Sequence, residues 1–346
     1  MKIAIVNDCV PFIYGGAELL VDNLKTKLIE NGHKVVIIQI PFHSHPPSKI
    51  LEQIVACRLL SLEDIDKVIA FKFPSYYIKH PNKVLWLIHQ FRQVYDLWGT
   101  PYQSIPGTNS GLKIKNFIIE SDNVFLKEPK KIYTNSKIVS SRLKQYNNIN
   151  SEVLYPPLLD PKRYFFREYG NFIFYPSRIT KIKRQFLAIE SMRYVKTNVK
   201  LIIAGNPDSG EELILIKKLV EKYNLKDKVK IIAKWISERE KINLFADALA
   251  SLYIPYNEDS YGFVSLESYY SKKPVITCND SGGTLELVKG GVNGYISSSS
   301  PKELAKIMDN LYSNKKIAKK LGIAGYEKLI SMDISWNNVV SKLLNK

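Results

Sequence analysis

Short apolar runs alternate with amphipathic stretches from one end of this chain to the other, and that alternation restricts the folds open to it. KIAIV (2–6), KVVIIQI (34–40), KVIAF (67–71), KVLWLI (83–88) and KIYTN (131–135) read as buried strands. Between the first two, "GGAELLVDNLKTKLIENG" (15–32) carries apolar residues at helical spacing and closes at Asn31-Gly32. A segment with three prolines (155–170) reads as a linker, and the pattern then restarts. NFIFYPSR (171–178), VKLIIAGN (199–206), VKIIAKW (229–235), ASLYIP (250–255) and PVITCN (274–279) are its strands. Two such series predict an α/β fold of two Rossmann-like, doubly wound parallel-sheet domains facing a central cleft, with ligands beyond the carboxyl ends of the strands. The predicted domains are 1–165 and 166–325, followed by a C-terminal helix (326–346) that carries Trp336 and crosses back to the first domain. Residues 97–125, interrupted by Pro, Gly and Ser, read as a long loop with a short helix. Ser237 with Glu240, and Ser300-Pro301 with Glu303, read as capping boxes.

The chain has 346 residues, 45% hydrophobic and 24% charged, enough for two ordinary cores. It contains no apolar run of eighteen residues, and MKIAIVND reaches Asp8 too soon for a secretory leader. Cys9, Cys57 and Cys278 offer neither a disulfide framework nor a zinc site, so the expected compartment is the cytoplasm. The net charge of +17 is spread out, with 22 basic against 15 acidic residues up to residue 168 and 28 against 18 beyond it. A nucleic-acid binder clusters its basic residues, so nucleic acid is not an expected partner. The excess is either surface chemistry or an attraction toward anionic substrates and an anionic membrane face, for which "KEPKKIYTNSKIVSSRLK" (127–144) is the local candidate.

The most informative stretch is "EDSYGFVSLESYYSKKPVITCNDSGGTLELV" (258–288). A helix starting near Gly262 leaves Asp259 in the loop before it and carries Glu267 about a turn and a half inside. The unpaired amides of Gly262, Phe263 and Val264 then open between two carboxylates. Helix-start amides attract phosphate and carboxylates accept from sugar hydroxyls, so the combination points to a nucleotide sugar. Gly15-Gly16 follows the first strand, where such a domain places a phosphate-binding turn, but it lacks the G-x-G-x-x-G of dinucleotide enzymes. Arg178 and Lys183 follow the first strand of the second domain and can clamp a diphosphate, with Lys181 and Arg184 beside them as solvated charge. His89 ends a buried strand, a place that suits a structural hydrogen bond as well as catalysis. His43 and His45 have no third metal ligand nearby.

In order along the chain these segments resemble retaining glycosyltransferases of family 4, which have the GT-B fold. "SRITKIK" (177–183), "DSYGFVSLE" (259–267) and "SGGTLELV…GVNGYI" (281–296) are similar to the donor half of that family. "GGAELLVDNL" (15–24), "LIHQ" (87–90), "YTNS" (133–136) and "VLYPP" (153–157) are similar to its acceptor half. The resemblance implies transfer of a sugar from a nucleotide donor, a UDP- or GDP-sugar, to an acceptor hydroxyl with retention and with no metal or cofactor. A glycan, a glycolipid or lipid-linked acceptor, or a cell-surface polysaccharide precursor would receive it, with peripheral contact to an anionic membrane.

The resemblance also assigns residues. The E-x7-E motif falls on Asp259, contacting the sugar, and Glu267, contacting the ribose hydroxyls. The amides of Gly262, Phe263 and Val264 take the phosphates, and Arg178 and Lys183 the diphosphate. Gly15 and Gly16 let the first-domain loop approach the donor, His89 lies near the anomeric carbon, and Gly282, Gly283 and Glu286 face the site. The first acid is Asp rather than Glu, which leaves Glu258, one position out of register, as an alternative sugar contact. An epimerase of the same fold, a non-catalytic sugar-nucleotide sensor and a nucleic-acid binder are the competing readings.

Overall fold

The computed structural model describes residues 1–11 and 13–345, so Lys346, the last residue of the predicted C-terminal helix, lies outside the described residues. The chain divides into two units, Met1–Pro157 with Ser335–Lys346, and Leu158–Ile334. The change of unit thus falls inside the proline-bearing segment, whose larger part belongs to the second unit.

The first unit runs β1 (Lys2–Cys9), α1 (Gly16–Glu30), β2 (Lys34–Pro41), α2 (Lys49–Leu59), β3 (Lys67–Ala70), β4 (Lys83–Leu87), α3 (Asn109–Phe125), β5 (Lys131–Thr134), α4 (Lys137–Asn147) and β6 (Glu152–Val153). Its six strands are all parallel, in the order β2-β1-β3-β4-β5-β6. The second unit runs β7 (Phe172–Pro176), α5 (Gln185–Met192), β8 (Lys200–Ala204), α6 (Gly210–Lys222), β9 (Val229–Ile232), α7 (Glu238–Asp247), β10 (Ala250–Leu252), α8 (Phe263–Tyr270), β11 (Val275–Cys278), α9 (Thr284–Leu287), β12 (Gly294–Ser297), α10 (Pro301–Ser313) and α11 (Lys315–Ser331). Its sheet is also parallel, in the order β12-β11-β10-β7-β8-β9. The continuous apolar runs follow from this topology, because central parallel strands such as β3 and β4 are buried along their whole length.

Three local expectations are corrected. Residues 109–125 form a helix of 17 residues, opened by the Thr108 side chain accepting from the Gly111 amide at 3.4 Å. Ser110 and Gly111, which read as breaks, lie at its capped start, and Ser121 is buried within it. The Ser237 cap accepts from the Glu240 amide at 3.2 Å, but the Ser300 side chain makes no cap bond. Glu303 instead accepts from the Ser298 amide at 2.8 Å, which anchors the preceding loop. The chain end is two helices, because α11 stops at Ser331 and α12 (Trp336–Leu344) restarts after Ser335, whose side chain accepts from the Asn338 amide at 3.4 Å.

α12 packs within the first unit. The Trp336 ring meets Trp86 edge-on at 6.4 Å, and the Tyr133 hydroxyl donates to the Lys342 carbonyl at 3.0 Å. Lys67 Nζ donates to the last carbonyls, Leu343 and Leu344, at 3.0 Å each, which satisfies groups a helix end leaves open.

A buried polar network joins α3 to the β3–β4 connection. Asp122 Oδ1 accepts from the Tyr76 and Tyr77 hydroxyls at 2.8 and 2.6 Å, and Oδ2 from Tyr95 at 2.7 Å. Burial outweighs these donors and pushes the Asp122 carboxyl up to about 6. Within the basic segment Arg142 is buried 3.3 Å from Asp96, whereas Lys127, Lys130, Lys131, Lys137 and Lys144 are exposed.

Candidate active site

In the second sheet the chain runs outward from β7 through β8 to β9, then returns to the other side of β7 with β10. The order therefore reverses between β7 and β10, and in open α/β sheets ligands bind at the carboxyl ends beside such a reversal. The loop leaving β7 carries Arg178 and Lys183, and the loop leaving β10 carries Glu258, Asp259 and Gly262. Two motifs 75 residues apart thereby meet: Lys183 Nζ donates to Glu258 Oε2, and to the Tyr253 hydroxyl at 3.0 Å. The Tyr253 hydroxyl donates in turn to Glu258 Oε2 at 3.0 Å. Burial, then the Glu258 carboxylate, holds the Tyr253 hydroxyl well above its ordinary pKa, so it stays a donor.

Gly262 precedes α8 at φ +73°, a conformation that favours glycine. A Cβ there would lie 2.3 Å from Cε1 of Tyr253, so the same ring that bonds Glu258 packs beneath the start of the helix. Only glycine fits both demands. α8 then buries Val264, Leu266 and Tyr269, and carries Glu267 inward with them.

Glu267 is 3% exposed. Its Oε1 accepts from Lys241 Nζ at 2.6 Å and from the Tyr164 hydroxyl at 3.0 Å. Burial works against the charge of Lys241, but the Glu267 and Glu238 carboxylates outweigh it and hold its pKa above the ordinary value. This carboxylate is therefore part of a buried ion pair.

The Gly282-Gly283 turn docks on the loop leaving β10. The Gly283 amide donates to the Glu258 carbonyl at 2.8 Å, and the Asn257 amide to the Asp280 carbonyl at 2.8 Å. Gly282 has φ +59°, and a Cβ on it would meet the Glu258 backbone at 2.5 Å. Asp259 is buried in this double loop, and Glu286 follows on α9 half-buried.

Residues 159–328, nearly the whole of this unit, match the family described as Glycosyl transferases group 1. This unit is a group 1 glycosyltransferase domain. An alpha-1,3/1,6-mannosyltransferase of Dictyostelium discoideum is 32% identical over 139 residues, 39% of this chain and 32% of that protein. The chain thus spans about a third of that relative's length. Among solved structures, a sucrose-phosphate synthase from Thermosynechococcus elongatus has a TM-score of 0.78 at 16% identity, covering 98% of this chain and 97% of that one. HepE of Anabaena, solved with UDP and glucose, has a TM-score of 0.71 at 16% identity and covers 98% of each chain. At this identity the likeness establishes the fold, two parallel six-stranded sheets with helices.

Within the group 1 domain the basic run 177–184 divides by role. Arg178, over a third exposed, pairs with Asp208 at 2.9 Å, and Lys181 is exposed. Arg184 is not solvated charge. It is 4% exposed, donates to the Ile254 and Pro255 carbonyls at 2.7 and 3.0 Å, and holds both oxygens of Asp280.

In the first unit, Gly15 precedes α1, and its amide donates to Glu18 Oε2 at 2.9 Å, while Gly16 is exposed as the first helical residue. His89 follows β4, half-buried, with Nδ1 2.7 Å from the Gln90 carbonyl oxygen. Among the described residues, no group of three His, Cys, Asp or Glu side chains is placed to hold a metal ion, and no helix is long and apolar enough to cross a membrane. Tyr253, Lys241 and Tyr164 were not identified from the sequence. A tyrosine inside ASLYIP and a lysine on an amphipathic helix carry no local sign of the carboxylates they meet in space.

Proposed function

We propose that the chain is a metal-independent, retaining glycosyltransferase of family 4 that moves a hexose from a UDP- or GDP-sugar to an acceptor hydroxyl on a glycan or lipid-linked precursor. The observation that carries this reading is the convergence, beside the β7/β10 reversal, of Lys183, the Asp259 loop and Glu267 around the start of α8. A cation, helix-start amides and a carboxylate are the groups a nucleotide diphosphate needs. HepE, which shares the fold, was solved with UDP and glucose, and this favours a uridine nucleotide among the candidates.

In this reading Glu267 takes the ribose hydroxyls, and the amides of Gly262, Phe263 and Val264 take phosphate. Arg178 and Lys183 stabilise the charge that grows on the diphosphate as the sugar leaves, the part a metal ion plays elsewhere. Asp259 contacts the sugar, and Glu258, engaged by Lys183 and Tyr253, orients the lysine rather than the sugar. The departing phosphate oxygen accepts the acceptor's proton on the front face. The exposed lysines of 127–144 support peripheral attachment to an anionic cytoplasmic membrane face.

Thermal shift with UDP, GDP, ADP and CMP tests the reading, since a ligand at 100 times its Kd adds about 2.7 kcal/mol. The matching sugar nucleotide should then yield free diphosphate and a glycosylated product of retained configuration. Binding of none of the four, or release of an epimerised sugar nucleotide with no transfer, would overturn it.

A further inference from the structure

Lys241 and Tyr164 each touch two carboxylates. Lys241 Nζ lies 2.6 Å from Glu267 Oε1 and 2.6 Å from Glu238 Oε1. The Tyr164 hydroxyl lies 3.0 Å from the same Glu267 oxygen and 3.4 Å from Glu238 Oε2. One ammonium, one phenol and two acids close a ring drawn from α7, α8 and the turn after Arg163. A carboxylate oxygen has two lone-pair directions, so Oε1 of Glu267 is filled by its two donors. Oε2 has no partner among the described residues.

We propose that Lys241, assisted by Tyr164, is a positioning residue of the donor site: it commits Oε1 of Glu267 so that Oε2 alone receives the vicinal diol of a ribonucleoside diphosphate. The proposal rests on the ribose role given to Glu267 above. A free carboxylate turns about its terminal bond and offers either oxygen, whereas one with Oε1 fixed has its second oxygen aimed before the ligand arrives. Glu238 supplies the second anion that keeps the lysine charged and in place. Discrimination between ribose and deoxyribose then depends on Lys241 although it does not touch the nucleotide.

The test takes whichever of UDP, GDP and ADP gives the largest thermal shift, together with its 2′-deoxy and 3′-deoxy counterparts. Calorimetric Kd values are compared in wild type, Lys241→Met, Lys241→Arg and Tyr164→Phe. Wild type should prefer the ribonucleotide by about tenfold or more over at least one deoxy form, the effect of one hydrogen bond to a charged group. Lys241→Met should bring that preference within about threefold of parity, and Lys241→Arg should restore most of it, because an ammonium and a guanidinium can both donate to Oε1. Lower stability with an unchanged ribose preference in Lys241→Met would overturn the proposal and leave the ribose role of Glu267 standing. A wild type that binds ribo and deoxy forms equally, or none of the three diphosphates, would overturn that role and the proposal with it. Tyr164→Phe removes one hydroxyl and keeps the ion pair, so it carries the comparison should Lys241→Met not fold. An unchanged preference in that variant then counts against the clamp.

Discussion

Arg184 and Asp280, 96 residues apart, meet in a two-point ion pair, each guanidinium nitrogen 2.8 Å from one carboxylate oxygen. Arg184 reaches it from the left-handed backbone region, at φ +59°. The pair ties the loop leaving β7 to the loop leaving β11, with the Ile254 and Pro255 carbonyls held between them. Three loops of the site are therefore set by a residue that the sequence alone presents as one more surface cation.

Arg184→Ala should accordingly lower stability by about 3 kcal/mol, since it strips a donor from two buried carbonyls and a counter-ion from Asp280. Denaturant unfolding monitored by circular dichroism would read this. Loss below about 0.5 kcal/mol would place Arg184 among ordinary surface charges.

If the proposed function holds, removing Lys183 or Arg178 should lower kcat more than it raises KM, because in that reading each acts on charge that develops as the sugar–phosphate bond breaks. A term of about 3 kcal/mol corresponds to a hundredfold or greater fall in rate. The double variant should lose less than the sum of the singles if both cations serve one diphosphate, as proposed. Lys181→Ala is the control and should change little; equal small effects at all three positions would dismiss the electrostatic role.

Glu267→Gln should weaken nucleotide diphosphate binding by about tenfold or more and also cost about 1–2 kcal/mol of stability, because Lys241 loses one of its two anions. Calorimetry and thermal unfolding on the same samples separate the two effects. Wild-type affinity in a folded variant would remove the ribose role.

Turnover should persist in excess EDTA if, as proposed, cationic side chains and helix-start amides hold the diphosphate. Activity abolished by chelator and restored by manganese would point instead to a metal-dependent transferase.

Asp122 gives a pH signature. Its folded carboxyl titrates at about 6 against 3.8 for the ordinary group, so between those values the folded chain holds a proton the unfolded chain has lost. Its contribution to stability is therefore present at pH 3.8 and below and is lost as pH rises through 6. Relative to wild type, Asp122→Asn should gain about 2 kcal/mol between pH 4 and pH 7. A difference that stays flat over that range would contradict the shift.

The sequence shows the frame more clearly than the contacts within it. Continuous apolar runs such as KVLWLI and NFIFYPSR are legible because a parallel sheet buries both faces of its strands. β6 and β12 are not, being short edge strands of mixed polarity, Glu152–Val153 and Gly294–Ser297. Gly262 is legible as a helix start, yet its reason, the Tyr253 ring 2.3 Å from where a Cβ would stand, is a spatial fact. The same holds for Arg184 and Lys241. Neighbouring residues in SRITKIKR look alike as letters, and only the αL turn at Arg184 sends one inward while Lys181 stays in solvent.

The return of α12 to the first unit has a consequence for synthesis. Residues 158–334 are translated between the two parts of that unit, so Trp86 and the Lys67 ammonium wait for Trp336 and the Leu343 and Leu344 carbonyls until the second unit has been made. At ~5–20 residues per second the interval is on the order of ten to thirty seconds. During it the indole and the lysine must be shielded in some other way, and the second unit, uninterrupted in the chain, is free to complete its core first.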